Sequence, residues 1–383
     1  MCVRVLDSTY NMANTTEMDA SEVKETVPQS GYDLPVYGLE NETFYFIHIP
    51  AIVCITCSFV CASIAIILSF RRQSYHTFFT KWSKSDRFIV YLAICDGAFN
   101  VSHFTDHLHI LIVRNHVYPK ELCEFYGFNL AVFITAQNLM VNIVAINAFM
   151  LMYFDKNLNF GSRDWRLLLW TFGAPFLGAT IAAIAGQLGP NGTFCYFDGI
   201  KGKIANILFT TVPLLLVLMA NTVLYILTWK RIHDQGEAVK KSLSGMSAAM
   251  RASHRAARAM SLFVAAFLIQ WWAMGLYGIW ALVDDEHVPQ ALFHLVTTFS
   301  NIGGCLNLAV YCLIRRRHLG QGEHLSHDKL SRDSDGRKRP HSTLTSVDTF
   351  GSSRNVSLSQ IPGAENYLSP NDATKGSNGT AQI

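Results

Sequence analysis

The chain has 383 residues, of which 50% are hydrophobic and 15% charged, with a net charge of +3. Soluble domains carry about 25% charged residues, so a soluble enzyme or binding module is excluded as the bulk of the molecule. So small a net charge points to no nucleic-acid partner; the information lies in where the basic residues fall.

Met1 is followed by no apolar run. No cleavable signal peptide is therefore expected, and a first spanning helix must act as its own anchor. Residues 1–45 form a polar, acidic tail with sequons at Asn14 and Asn41. It is too short for an independent binding domain. Seven apolar runs follow, at 46–70, 88–113, 122–154, 166–187, 204–229, 259–283 and 290–314. Each is long enough to cross a bilayer, which predicts an all-α bundle of seven transmembrane helices over 46–317.

The third run organises the rest. It carries no full charge between Glu124 and Asp155 and no Pro, yet holds Asn129, Gln137, Asn138, Asn142 and Asn147. A polar group in hydrocarbon needs a partner, so this helix must lie inside the bundle with neighbours on several sides. Thr135, Asn138 and Asn142 share one of its faces at i, i+3, i+7 spacing. Pro175 and Pro213 predict kinks in the fourth and fifth helices. The sixth has no Pro, so any movement there must pivot at Gly275 or Gly278 or unwind.

Connector charge sets an expected orientation. Connectors 71–87, 154–166, 230–258 and 315–317 hold eighteen Lys and Arg residues. The opposite loops hold Arg114, Lys120, Lys201 and Lys203, and none occurs at Asp284-Asp285-Glu286. The positive-inside rule then puts the N-terminus outside and the C-terminus inside. Asn14, Asn41 and Asn191 become candidate glycosylation sites, whereas Asn355 and Asn378 fall on the wrong side.

Of the nine cysteines, Cys54, Cys57, Cys61, Cys95, Cys305 and Cys312 lie within helices and read as small packing residues, and Cys2 is left over. Cys123, at the top of the third helix, and Cys195, in the loop after the fourth, share the oxidising side. Their disulfide would pin that loop over the bundle mouth. From 318 to 383 the chain is hydrophilic and Ser/Thr-rich, which reads as a cytoplasmic disordered tail suited to phosphorylation or simply solvated.

Three constellations are candidates for function. At the outer ends, His103, Asp106, His107, Asn129, Trp271, Tyr277, Trp280 and His294 combine aromatics with a few polar groups, as small-ligand pockets do. An interfacial aromatic belt accounts for part of this set, and His103 and His107 at i, i+4 also suit proton sensing. At mid-depth, Asp96 and Asn100 on the second helix, Asn138 and Asn142 on the third and Asn307 on the seventh are candidates for one switchable network. Static helix–helix bridging is the alternative. At the inner ends, Lys240, Lys241, Arg251, Arg255 and Arg258 make a basic surface for a cytosolic partner, or for lipid phosphates.

Several motifs carry a family resemblance. LAICD (92–96) is similar to the LAxxD of rhodopsin-like receptors, and NLAVY (307–311) to NPxxY with Leu308 in place of Pro. YFDKN (153–157) and FLIQWW (267–272) depart from DRY and CWxP. WTFGAPFLGATIAAIAGQLGPNGTFCYFD (170–198) and GCLNLAVYC (304–312) resemble the cyclic-AMP-receptor-like and secretin/adhesion-like group of G-protein-coupled receptors. The resemblance covers about 46–320 and implies a plasma-membrane receptor without catalysis or cofactor. Its implied partners are an extracellular ligand, a heterotrimeric G protein, and arrestin and kinases at the tail. No Lys occurs within 290–314, which argues against a retinal Schiff base. One alternative is a seven-helix zinc hydrolase using His103, Asp106 and His107, although a zinc site needs three or four ligands and His294 is alone on the seventh helix. The other is a small-solute transporter, for which no internal repeat is seen.

Overall fold

The computed structural model describes residues 27–40, 42–241, 248–283 and 288–316. The tail 318–383, Cys2, Asn14, Asn41 and the loop 284–287 lie outside the described residues, as do the side chains of Lys240, Lys241 and Arg251.

Six helices are long and apolar enough to cross a membrane: Phe44–Arg72, Lys84–Val113, Lys120–Phe154, Ser162–Ile184, Lys203–Gln235 and Ala252–Val283. A bent pair, Gln290–Ser300 and Gly303–Arg316, supplies the seventh span. The all-α bundle is therefore as expected, with one addition. The fourth helix stops at Ile184, three residues before the expected end, and Gly186 at φ 63° turns the chain. A two-stranded antiparallel hairpin follows, β1 (Leu188–Pro190) with β2 (Cys195–Phe197), and Gly192 at φ 93° sits in its turn.

The third helix is central, packing against the second, fourth, fifth and sixth helices and both strands. Its buried positions include Asn138 and Asn147 as well as Leu130, Met140 and Val144. The sixth helix begins earlier than expected, at Ala248, and the fifth runs on through Val212–Lys241. Gly275 and Gly278 are close-packing points against the fifth helix. An added Cβ would lie 2.7 Å from the Leu218 side chain at Gly275 and 3.0 Å from Thr211 at Gly278.

The two prolines act through the helix type. A π-helical segment, Leu169–Gly173, precedes Pro175, and another, Ile207–Thr211, precedes Pro213. Proline has no N–H to give and its ring crowds the carbonyl four residues earlier, so the helix widens by one residue just upstream. The seventh span breaks by 47° at Asn301-Ile302 without any proline. There Gly303 lies where a Cβ would come within 2.6 Å of the Asp96 carboxyl.

At the end of the bundle with the basic connectors, buried ion pairs fasten the helices. Arg87 binds Asp164 through Nε at 2.6 Å and Nη2 at 3.0 Å, and Tyr91 donates to the same carboxylate at 2.9 Å. Arg163 and Asp164 are both left-handed, at φ 56° and 59°, a conformation that costs non-glycine residues energy unless the surroundings impose it. Here the fork of Arg87 holds the Asp164 side chain. Arg315 reaches Asp86 at 2.8 Å and joins the seventh span to the second helix.

Close helix approach gives a direct test. A Cβ at Gly304 would lie 2.1 Å from the Ser58 carbonyl oxygen, whereas one at Gly97 would meet nothing within 4 Å. Gly304→Ala should lower the thermal unfolding midpoint, with an overpacking cost of about 1–3 kcal/mol, while Gly97→Ala stays near wild type. Equal midpoints for the two purified variants would refute this packing.

Candidate functional site

A cavity of about 230 Å³ opens at the disulfide end of the bundle. Its wall combines the second helix (Phe99, His103, His107), the sixth (Trp271, Met274, Tyr277) and the seventh span (Phe293, Asn301), with further residues from the third and fifth helices. Cys123 and Cys195 form the disulfide, with their Cα atoms 5.2 Å apart, so the hairpin is tied to the third helix and roofs this space. The Asp106 carboxylate accepts the Cys195 N–H at 2.9 Å and secures the same strand from the second helix. Gly127 lets the strand lie flat, since a Cβ there would stand 2.6 Å from the Tyr196 carbonyl oxygen.

The N-terminal segment adds a second layer. Gly31 N–H donates to both oxygens of Asp198 at 2.9 Å, and Ile200 and Lys201 N–H groups donate to Oδ1 at 2.9 Å. His116 Nε2 donates to the Leu34 carbonyl at 2.7 Å, and the Tyr37 N–H to that of Gly192 at 2.7 Å. Tyr37 stacks on Phe293, and Leu34, Pro35 and Tyr37 join the cavity wall. The tail is thus more than a leader to the first helix. Burial pushes the Tyr196 hydroxyl up to about 12 against the lowering effect of its bond to Thr210, so it stays a neutral phenol in the wall.

Four of the eight residues expected in the pocket line it: His103, His107, Trp271 and Tyr277. Asp106 lies behind the wall, on Cys195. Asn129 turns back to the Phe125 carbonyl of its own helix at 3.0 Å. Trp280 is 43% exposed, and neither it nor His294 belongs to the wall formed by the described residues. The sequence reading missed Asn301 and the segment at 34–37.

His48, from the first helix, completes a chain of three buried imidazoles. His48 Nδ1 is 2.8 Å from His107 Nδ1, and His107 Nε2 is 3.2 Å from His103 Nε2. With the rings bonded to one another and Asp106 bonded to Cys195, the zinc alternative has no converging ligands. Among the described residues no group of three or more His, Cys, Asp or Glu side chains is disposed to hold a metal ion.

Below the cavity, Asp96 Oδ1 accepts from Gln137 Nε2 at 2.8 Å and Oδ2 from Asn307 Nδ2 at 2.5 Å. Gln137 also donates to Gln270 Oε1 at 3.3 Å, and Gln270 Nε2 donates to the Ser300 carbonyl at 3.0 Å. One network therefore joins the second, third, sixth and seventh spans. It is not the expected membership. Asn138 gives way to its neighbour Gln137, because one residue is about 100° around a helix and the longer side chain reaches Asp96. Asn142 instead donates to Asn221 on the fifth helix at 3.0 Å. Asn100 donates to Ser58 at 3.0 Å, whose hydroxyl also accepts the Gly304 N–H at 2.9 Å. Gln270 was visible in FLIQWW as an amide inside an apolar run, the same signal that had singled out the third helix. At the opposite end, Arg255 and Arg258 are exposed on the sixth helix.

No family model and no curated protein sequence matches the chain. Among solved structures, squid rhodopsin is similar, with a TM-score of 0.54 and 16% identity over 78% of this chain and 93% of that one. At that identity the likeness establishes the fold: the chain has the seven-helix bundle of that rhodopsin. It lends no support to the narrower cyclic-AMP-receptor-like and secretin/adhesion-like grouping.

The network separates two neighbouring amides. Gln137→Leu should lower the thermal midpoint of the purified protein more than Asn138→Leu, by about 1–3 kcal/mol for a carboxyl that loses a donor. Its effect should be non-additive with Asn307→Ala, since both donate to Asp96. A larger effect at Asn138 would restore the original membership.

Proposed function

We propose that the protein is a G-protein-coupled receptor, which binds an extracellular ligand in the cavity and shifts a two-state bundle that engages a heterotrimeric G protein. The observation that carries this reading is the buried Asp96–Gln137–Gln270–Asn307 network directly linking four spans, with Gln270 next in sequence to the cavity residue Trp271. A ligand touching Trp271 acts on the network through one peptide unit. A hydrogen-bonded set with two arrangements is what a switch requires. The rhodopsin-like bundle supports the broad receptor assignment, and no subgroup is proposed.

In this reading the disulfide end faces outside and the basic end faces the cytosol, at the plasma membrane. Arg255 and Arg258 belong to the partner surface, together with Lys240, Lys241 and Arg251. The Ser/Thr-rich tail takes kinases and arrestin, and lipid phosphates meet the same basic face. Asn14, Asn41 and Asn191 are the proposed glycosylation sites. Asn191 is half-buried in the hairpin, where its Oδ1 accepts the Thr193 and Phe194 N–H groups at 3.0 Å.

Signalling tests the switch. In cells with cAMP and calcium readouts, Asp96→Asn should change basal or ligand-driven output at unchanged surface level. A coupling of about 1–3 kcal/mol corresponds to a roughly 5- to 150-fold shift. Output that merely tracks surface expression would reduce the network to structural bridging.

Topology has its own assay. A glycosidase-sensitive gel shift should be present in the wild type and absent once Asn14, Asn41 and Asn191 are all replaced by Gln. Persistence of the shift through Asn355 or Asn378 would invert the orientation.

A further inference from the structure

Three residues of the cavity wall each carry a buried polar atom with no hydrogen-bond partner among the described residues: Trp271 Nε1, Asn301 Oδ1 and His103 Nδ1. Their residues are 1%, 1% and 6% exposed. Leaving such groups dry and unpaired costs more than an ordinary hydrogen bond contributes, which makes them a record of what the cavity is built to hold.

Their chemistry is restrictive. Trp271 Nε1 can only donate, so it requires an acceptor. Asn301 has committed Nδ2 to the Thr297 carbonyl at 2.7 Å, which leaves Oδ1 requiring a donor. Trp271 and Asn301 each neighbour in sequence one member of the Gln270–Ser300 hydrogen bond, which is 3.0 Å long. His103 Nδ1 suits either role. A neutral imidazole carries one N–H, and the chain His48–His107–His103 can run in either direction, so Nδ1 carries the proton in one tautomer and a lone pair in the other.

A carboxylate answers Trp271 but has no proton for Asn301. An ammonium answers Asn301 but has no lone pair for Trp271. A hydroxyl or an amide N–H/C=O group answers both. Charge points the same way. Among the described wall residues the carboxylate, Asp198, is held by three backbone N–H groups, and Asp106 lies behind the wall on Cys195. The ammonium among them, Lys203, is solvent-exposed at the start of the fifth helix. The remaining lining is largely apolar, including Phe99, Ile134, Leu214 and Met274. A volume of about 230 Å³ is below the roughly 300–1,000 Å³ of most ligand sites, so the occupant must be compact.

We propose that the cavity binds an uncharged, compact, mainly apolar molecule bearing a hydroxyl or amide group that accepts from Trp271 and donates to Asn301. This rests on the receptor reading above and narrows its ligand class.

The test uses the full chain in phosphatidylcholine nanodiscs at neutral pH, with three probes of one shape: 2-naphthol, 2-naphthoate and 2-naphthylmethylammonium. Naphthol should raise the thermal midpoint in a concentration-dependent way, by about 2 °C or more at saturation, and the two ions by clearly less. Trp271→Phe and Asn301→Leu should each weaken the apparent naphthol affinity about tenfold, the value of one hydrogen bond in a dry site. If Asn301→Leu does not fold, Trp271→Phe alone decides. The proposal is overturned if either ion stabilises as well as naphthol, if no probe stabilises, or if folded Trp271→Phe binds naphthol like wild type. No G protein takes part, so the two readings fail separately. Failure here with G-protein signalling intact removes the ligand class alone, and naphthol binding without G-protein signalling removes the receptor reading alone.

Discussion

Where water is scarce, a polar group must be answered by another polar group, and most of this structure follows from that constraint. Asp96 is 2% exposed and would be untenable alone, so Gln137 and Asn307 converge on it and Gln270 closes the set to the Ser300 carbonyl. Those bonds fix the relative depth and rotation of four spans. The same requirement places Asn142 against Asn221 and Asn100 against Ser58. Each such bond contributes modestly, about 0.6 kcal/mol on average in a membrane bundle. Their value lies in specifying one packing among many apolar ones, because Leu against Leu tolerates a slip that Asn against Asn does not.

Backbone groups obey the same rule. The π-helical segments ahead of Pro175 and Pro213 change the hydrogen-bonding step where a normal step is forbidden, and so keep both helices continuous. The seventh span takes the other course and breaks at Asn301. That break sits beside both the cavity and the network, since Ser300 receives Gln270 while Gly304 closes onto the first helix at Ser58. This break therefore lies where the cavity and the network meet, as expected if irregular backbone is tolerated around a cavity.

The two ends are held by different means. At the disulfide end, a covalent bond, the Asp106–Cys195 contact and the Asp198 cap assemble a roof from segments far apart in sequence. At the other end, charge does the work. Arg87 grips Asp164 through two nitrogens in a left-handed stretch, and Arg315 grips Asp86. Buried pairs of this kind are costly to break because the surviving charge has no water to turn to.

Apolar run length and connector charge, summed over the whole chain, were enough to predict seven spans, and the amides of the third run were enough to make it central. Cys123 and Cys195 were likewise identifiable as a pair from their positions alone. These are properties of composition along the chain, and hydrocarbon thickness turns them directly into architecture. Residue partnership was not legible in the same way. Asn138 and Gln137 look equivalent in sequence, yet a rotation of about 100° gives Asp96 to one and leaves the other aside. Asp106 looked like a pocket acid and instead holds a strand. Tyr37 looked like part of a tail and instead stacks in the wall. Such outcomes depend on helix rotation, tilt and the path of loops, which are set by all the packing contacts together. The tertiary structure alone decided them, because a side chain's partner is determined by distance in space, to which spacing along the chain is only a weak guide.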